Sequence, residues 1–270
     1  MKYYIIIAIL LLLITSIYAI TSIQKSPKHD IFFLNKQEIS KFLQNDEDKY
    51  VYNLSEIDLY ARKVSSSKEY INIIKNCGVD LSKQEKEKLI ICCKKADEFL
   101  KTHIYHNFSC EPISRIKWKI GCTKNYKEYE YEDGFPHTRG DVIFLSNRNI
   151  NKYIAMSEDN ENLINTLIHE KIHVYQKQHP GDMIKLLDNI GYTICNIKVD
   201  RMRSNPDTNK IIYMDPVSKE CMFFSYSSNT PKNLSDVIQS DYTKEHPYEK
   251  MAYEIAKSYV DMNMRKYKYI

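Results

Sequence analysis

The chain has 270 residues, 43% hydrophobic and 27% charged, with a formal net charge of +4. That balance excludes a disordered or fibrous protein and allows one ordinary core with a small extra lobe. The basic residues are interleaved with acidic runs such as Glu128 to Asp133, so no continuous basic surface marks nucleic acid as a partner.

Lys2 precedes an uncharged stretch from Tyr3 to Ile23 whose centre, Ile5 to Ile14, is almost purely aliphatic. Two readings stay open for residues 1–23. One is a signal peptide cut after Ala19 in Ile17-Tyr18-Ala19. The other is an uncleaved signal anchor, because the stretch can span the roughly 30 Å hydrocarbon layer as a helix. Both predict a protein directed to a membrane, either single-pass or secreted. Seven cysteines follow, an odd number with no CxxC pair, so their pairing cannot be read from the spacing and at least one thiol stays free in a monomer. Asn53, Asn107 and Asn233 each open a glycosylation sequon.

Residues 24–110 read as a helical N-terminal region. Up to about Leu81 this is a linker with two or three short helices. Ser82-Lys-Gln-Glu85 is then a capping box, and Leu89, Ile90, Cys93, Ala96, Phe99 and Leu100 recur at helical spacing, which predicts a long helix to about Tyr105. Residues 111–270 form the principal domain. Ile116, Trp118 and Ile120 alternate with lysines as in a half-buried strand, and Val142 to Leu145 is a short apolar strand after the turn Arg139-Gly140-Asp141. A helix is expected from about Asp159 to Gln178, stopped by Pro180 and Gly181. Strand-like runs follow at Lys210 to Met214 and Met222 to Tyr226, and a last helix opens at Pro247 and reaches about Met264.

Chemistry concentrates in His169-Glu170-Lys171-Ile172-His173 on the central helix. A four-residue step puts both imidazoles on one face, one turn apart, where they can share a tetrahedral zinc ion. Glu170 sits beside them, off the metal, where it can activate a zinc-bound water for peptide-bond hydrolysis. A structural metal site would not need a carboxylate at that position. Leu163, Ile164, Leu167, Ile168 and Ile172 supply the buried face.

Two residues compete for the third place on the single catalytic Zn2+. His179 lies at the spacing of HExxHxxGxxH, but Gln176 occupies the position where that motif needs Gly to turn the chain back. Glu249 lies in the first turn of the last helix, and Ala252 and Ala256 continue its face with small residues that permit close packing against the HExxH helix. Glu249 is the chosen ligand. His137 and Arg203 are candidate donors to a developing oxyanion.

HExxH followed by a distant Glu-x-x-Ala helix resembles the gluzincin side of the zincins, the layout of the bacterial repressor-cleaving peptidases. Pro136-His137-Thr138-Arg139-Gly140, His169 to Gln176, Asn205-Pro206-Asp207 and His246-Pro-Tyr-Glu249 are also similar to metallopeptidase-like proteins of large DNA viruses. The resemblance covers roughly residues 134–256. It implies a mixed α+β zincin-like catalytic domain with an HExxH helix, a small sheet and a C-terminal helix. It further implies a zinc metallopeptidase acting on peptide or protein substrates, in a viral envelope or the host secretory pathway. Val142 to Leu145 would then be the docking edge for an extended peptide. The rival expectation is a catalytically inactive surface protein that keeps the fold and acts in binding.

Overall fold

The computed structural model describes residues 30–127, 129–156, 160–239 and 241–267. Contacts divide the chain after Asp30, and the unit Ile31–Ile270 is the one described below. It is mixed α+β, as expected. Among the described residues no helix is long and apolar enough to cross a membrane, which corrects the expectation of a single-pass membrane protein. The stretch Tyr3 to Ile23, on which that expectation rested, lies outside the described residues.

Strand β1 (Ile31–Phe33) is followed by helices α1 (Lys36–Asn45), α2 (Glu56–Ala61) and α3 (Ser67–Ile74), then by β2 (Gly78–Val79). Asn35, Ser55 and Ser66 cap the three helices with side-chain oxygens that accept orphan backbone N–H groups. Helix α4 (Lys83–Thr102) begins at the expected capping box, in which Ser82 Oγ accepts from Glu85 N and Glu85 accepts from Ser82 N. Strands β3 (Ile104–Tyr105) and β4 (Phe108–Ser109) form a small hairpin before α5 (Glu111–Ser114) and β5 (Trp118–Thr123).

The hairpin β6 (His137–Arg139) and β7 (Val142–Ser146) leads through α6 (Asn147–Met156) to α7 (Glu161–Gln178). Gly140 makes the hairpin turn at φ 57°, and Arg139 is buried with donors directed at Asp46, Asp48 and Tyr131. Pro180 does not simply end α7. It occupies the first turn of a new helix, α8 (Pro180–Ile190), where its missing N–H has no intrahelical partner to lose. Strands β8 (Thr193–Ile194), β9 (Tyr213–Met214) and β10 (Cys221–Met222) make a small antiparallel sheet stapled by the disulfide Cys195–Cys221, and α9 (Pro247–Tyr267) closes the fold. The remaining five cysteines are free and buried.

The main sheet runs β1-β5-β7-β6, with β2 also paired to β5. Strands β1, β5 and β7 are parallel, and β6 returns antiparallel as the edge. Pairing of β1 with β5 crosses residue 110, so the N-terminal helical region and the remainder share one sheet. The β7 side chains alternate between two cores. Ile143 and Leu145 face the cluster built with α4, α7 and α9, while Val142 and Phe144 face the cluster of α1 and α3. A sheet covered on both faces explains why β5 is buried almost throughout instead of half-buried. Gly121 of β5 makes room for this packing, since a Cβ there would meet the Phe144 ring at 2.8 Å. Lys171 of α7 is buried over the Trp118 ring, 4.2 Å from its centroid, and donates to Asp97 of α4. That contact pins α7 against α4 and β5.

Candidate metal centre

Helix α7 buries Leu163, Ile164, Leu167, Ile168 and Ile172, and this fixes its rotation. His169 and His173 consequently emerge together on the flank facing α9. On α9, Ala252 and Ala256 are buried with almost no exposed surface, and their small side chains let the two helices approach. Glu249, one turn before Ala252, reaches the histidines: its Oε2 lies 3.2 Å from His169 Nε2 and 3.6 Å from His173 Nε2. The two Nε2 atoms are 3.0 Å apart. A tetrahedral zinc ion with bonds of roughly 2.0–2.1 Å needs donor atoms about 3.3 Å apart. The three observed separations bracket that value, so these side chains fit the ion. Among the described residues this trio is the group of His, Cys, Asp or Glu side chains arranged to hold a metal.

Further side chains fix each of the three. His173 Nδ1 donates to Gln176 Oε1 at 2.8 Å, and Gln176 Nε2 donates to the Tyr248 carbonyl at 3.2 Å. This assigns the proton to Nδ1 and leaves the Nε2 lone pair for a metal. Asn205 Nδ2 donates to Glu249 Oε1 at 2.8 Å and to Glu245 Oε2 at 3.1 Å, while Arg203 Nη2 holds both Glu245 oxygens at 2.7 Å. The ring of Tyr253 stands edge-on to His169, centroids 4.6 Å apart. Without a metal ion, burial works against a charged His173, yet the Glu249 and Asp207 carboxylates outweigh it and raise the imidazole to about 9, so an ion that binds there must displace the Nε2 proton. Burial would also raise Glu249, but His173 and His169 hold it well below the usual carboxylate range.

Glu170 is buried beside the trio, and Thr138 Oγ1 donates to its Oε2 at 3.1 Å. Burial pushes its carboxyl well above the usual range, the Asp207 charge adds to this, and His173 opposes it. His169, Glu170 and Glu249 line a cleft of about 270 Å³ together with Phe135, Tyr242 and Tyr253.

The other expected residues fall differently. His179 ends α7, exposed, stacked on Tyr175 and 3.9 Å from Asp182, and stands outside the trio. Gln176 continues the helix instead of turning it back. Arg203 directs donors to both Glu245 oxygens and to the Leu234 carbonyl at the wall of the same cleft, so it serves Glu249 indirectly, through Glu245 and Asn205. His137 gives its Nδ1 proton to the Phe135 carbonyl at 2.9 Å. The strand proposed as a docking edge, β7, lies between β5 and β6 and offers no edge. Sequence reasoning missed the supporting roles of Asn205, Thr138 and Glu245, because their partners lie in other elements, and that of Gln176, although its three-residue spacing from His173 on the same helix could have signalled it.

Comparison with protein-family models, with curated proteins and with solved structures finds no match to this chain.

Proposed function

We propose that the protein is a zinc-dependent peptidase with a zincin-like catalytic domain, in which His169, His173 and Glu249 hold one zinc ion and Glu170 is the general base. The observation that carries this reading is the convergence of His169 Nε2, His173 Nε2 and Glu249 Oε2 at separations of 3.0–3.6 Å, next to Glu170 in a cleft. A structural zinc site is normally closed by four protein ligands, whereas three ligands opening on a cleft leave a position for chemistry.

When bound, zinc supplies Lewis acidity, polarising the scissile carbonyl and acidifying water. Glu170 accepts the proton of the attacking water and hands it to the leaving amine. Thr138 orients the Glu170 carboxylate through its hydroxyl. His173 is kept in one tautomer by Gln176, and Glu249 is kept in one rotamer by Asn205. No side chain forms a bond to the substrate in this scheme.

The test is cleavage of a denatured protein by the zinc-loaded chain, followed as new N-termini by mass spectrometry, with Glu170→Gln as the comparison. Glu170→Gln is expected to keep its zinc and to lose activity by about 10²–10⁴-fold. Equal activity in the two proteins would refute the role of Glu170, and no cleavage by the zinc-loaded parent would refute the peptidase reading.

A further inference from the structure

Three buried side-chain atoms lack a hydrogen-bond partner among the described residues: Glu130 Oε1, His137 Nε2 and Asn165 Oδ1. His137 and Asn165 line the same cleft as His169, Glu170 and Glu249. Both atoms are closed to solvent in this structure, and a buried acceptor without a donor is costly to maintain, so a rotation of either side chain toward the cleft would let a ligand satisfy it.

The chemistry of His137 is set by its surroundings. Its ring is buried between Tyr131, 4.8 Å away and edge-on, and Phe144, 5.6 Å away and stacked. A carbonyl oxygen can only accept, so the 2.9 Å contact with Phe135 O puts the proton on Nδ1. Burial holds the imidazole below its ordinary pKa, against the pull of Glu132 and Asp207, so the ring stays neutral and Nε2 presents a lone pair. His137 is therefore an acceptor, not the oxyanion donor that its place in the sequence suggested. Asn165 stands one turn before His169 on α7 and shares its face of the helix.

Two further observations narrow the ligand. The outward edge of β6 is already taken: Thr138 N donates to Asp207 Oδ1 at 2.6 Å, and Lys177 Nζ donates to Thr138 O at 2.7 Å. A peptide cannot extend the sheet there without displacing both. The other charged residues of the cleft wall are paired as well, Glu132 with Arg62, Arg203 with Glu245 and Asp207 with Lys177. The two unpartnered acceptors of the cleft, His137 Nε2 and Asn165 Oδ1, are neutral, and neutral acceptors suit amide N–H groups better than cations.

We infer that His137 Nε2 and Asn165 Oδ1 accept backbone N–H groups of a bound peptide, so that the cleft grips an uncharged peptide segment through side chains instead of through a sheet edge. The inference rests on the peptidase reading. It makes His137 and Asn165 residues of substrate binding, separate from the metal ligands and the general base.

The probe is acetyl-trileucine hydroxamate, whose hydroxamate anchors on zinc, together with analogues in which each amide N–H in turn is replaced by an ester oxygen. Binding to the zinc-loaded full chain is measured by calorimetry for the parent, for His137→Phe, which keeps an aromatic ring between Tyr131 and Phe144, and for Asn165→Leu. The parent is expected to lose about tenfold in affinity for the analogue missing the matched N–H. Each variant should lose about tenfold for the all-amide probe and nothing further for that analogue. Identical affinity ratios across the series in the parent and both variants would overturn the inference while leaving the peptidase reading intact. Failure of the zinc-loaded parent to bind the all-amide hydroxamate would overturn the reading and the inference together.

Discussion

His173 donates its Nδ1 proton to Gln176 at 2.8 Å, and both residues lie on α7, three positions apart. The same glutamine is anchored by its amide to the Tyr248 carbonyl on α9, one residue before Glu249. One side chain thus fixes the tautomer of one candidate ligand and the position of the helix that carries another. Gln176→Leu keeps the helix but removes both hydrogen bonds. It is expected to weaken zinc binding by about 10–100-fold, measured by competition with a chelator of known affinity. Unchanged affinity would mean that packing alone orients His173.

Asn205 bridges Glu249 and Glu245, two buried carboxylates that would otherwise face each other without a donor between them. Asn205→Leu leaves Glu249 Oε1 without this donor. Loss of a hydrogen bond to a buried charged group is expected to cost about 1–3 kcal/mol in unfolding free energy, read from a denaturant titration. Zinc affinity should fall in parallel, since Glu249 is no longer held toward the histidines.

Much of the candidate site was legible before any coordinates, and the reason is locality. His169, Glu170 and His173 sit within one turn and a half, so helical geometry alone puts the imidazoles together. Glu249 was readable through Ala252 and Ala256, whose small side chains mark a close helix contact. The capping box at Ser82 and Glu85 located the start of α4 for the same reason. What escaped depends on partners far along the chain. Strand β1 has only three residues, and its pairing with β5 defines it as a strand. The runs expected at Lys210 to Met214 and Met222 to Tyr226 shrink to the two-residue strands β9 and β10, tied by a disulfide whose pairing no spacing revealed. Gln176 looked like a missing glycine because its partner, the Tyr248 carbonyl, belongs to another helix.

Acid stability should depend on a pair away from the metal ligands. Glu132 is buried, which would raise its pKa, but the Arg62 guanidinium, 2.5 Å from Oε2, brings it down from 4.5 to about 2. A depressed carboxyl contributes stability that is fully present above pH 4.5 and is lost as pH falls toward 2, amounting to roughly 3 kcal/mol. Arg62→Met should destabilise the protein by about 3–5 kcal/mol at pH 7, because a buried charge loses its partner. The deficit should narrow as pH falls, above pH 4.5 because the unpaired Glu132 takes up a proton in the variant, and between pH 4.5 and 2 because the parent loses the contribution of the pair. Urea unfolding midpoints at pH 7 and pH 3 for both proteins check the sign, and a deficit that widens in acid would contradict it.

The most direct measurement is zinc per chain by elemental analysis, on the parent and on His173→Ala, Glu249→Ala and His179→Ala. The account predicts close to one zinc in the parent and in His179→Ala, and its loss in the other two. A folded parent that takes up no zinc, or a loss with His179→Ala while Glu249→Ala retains the metal, would contradict it.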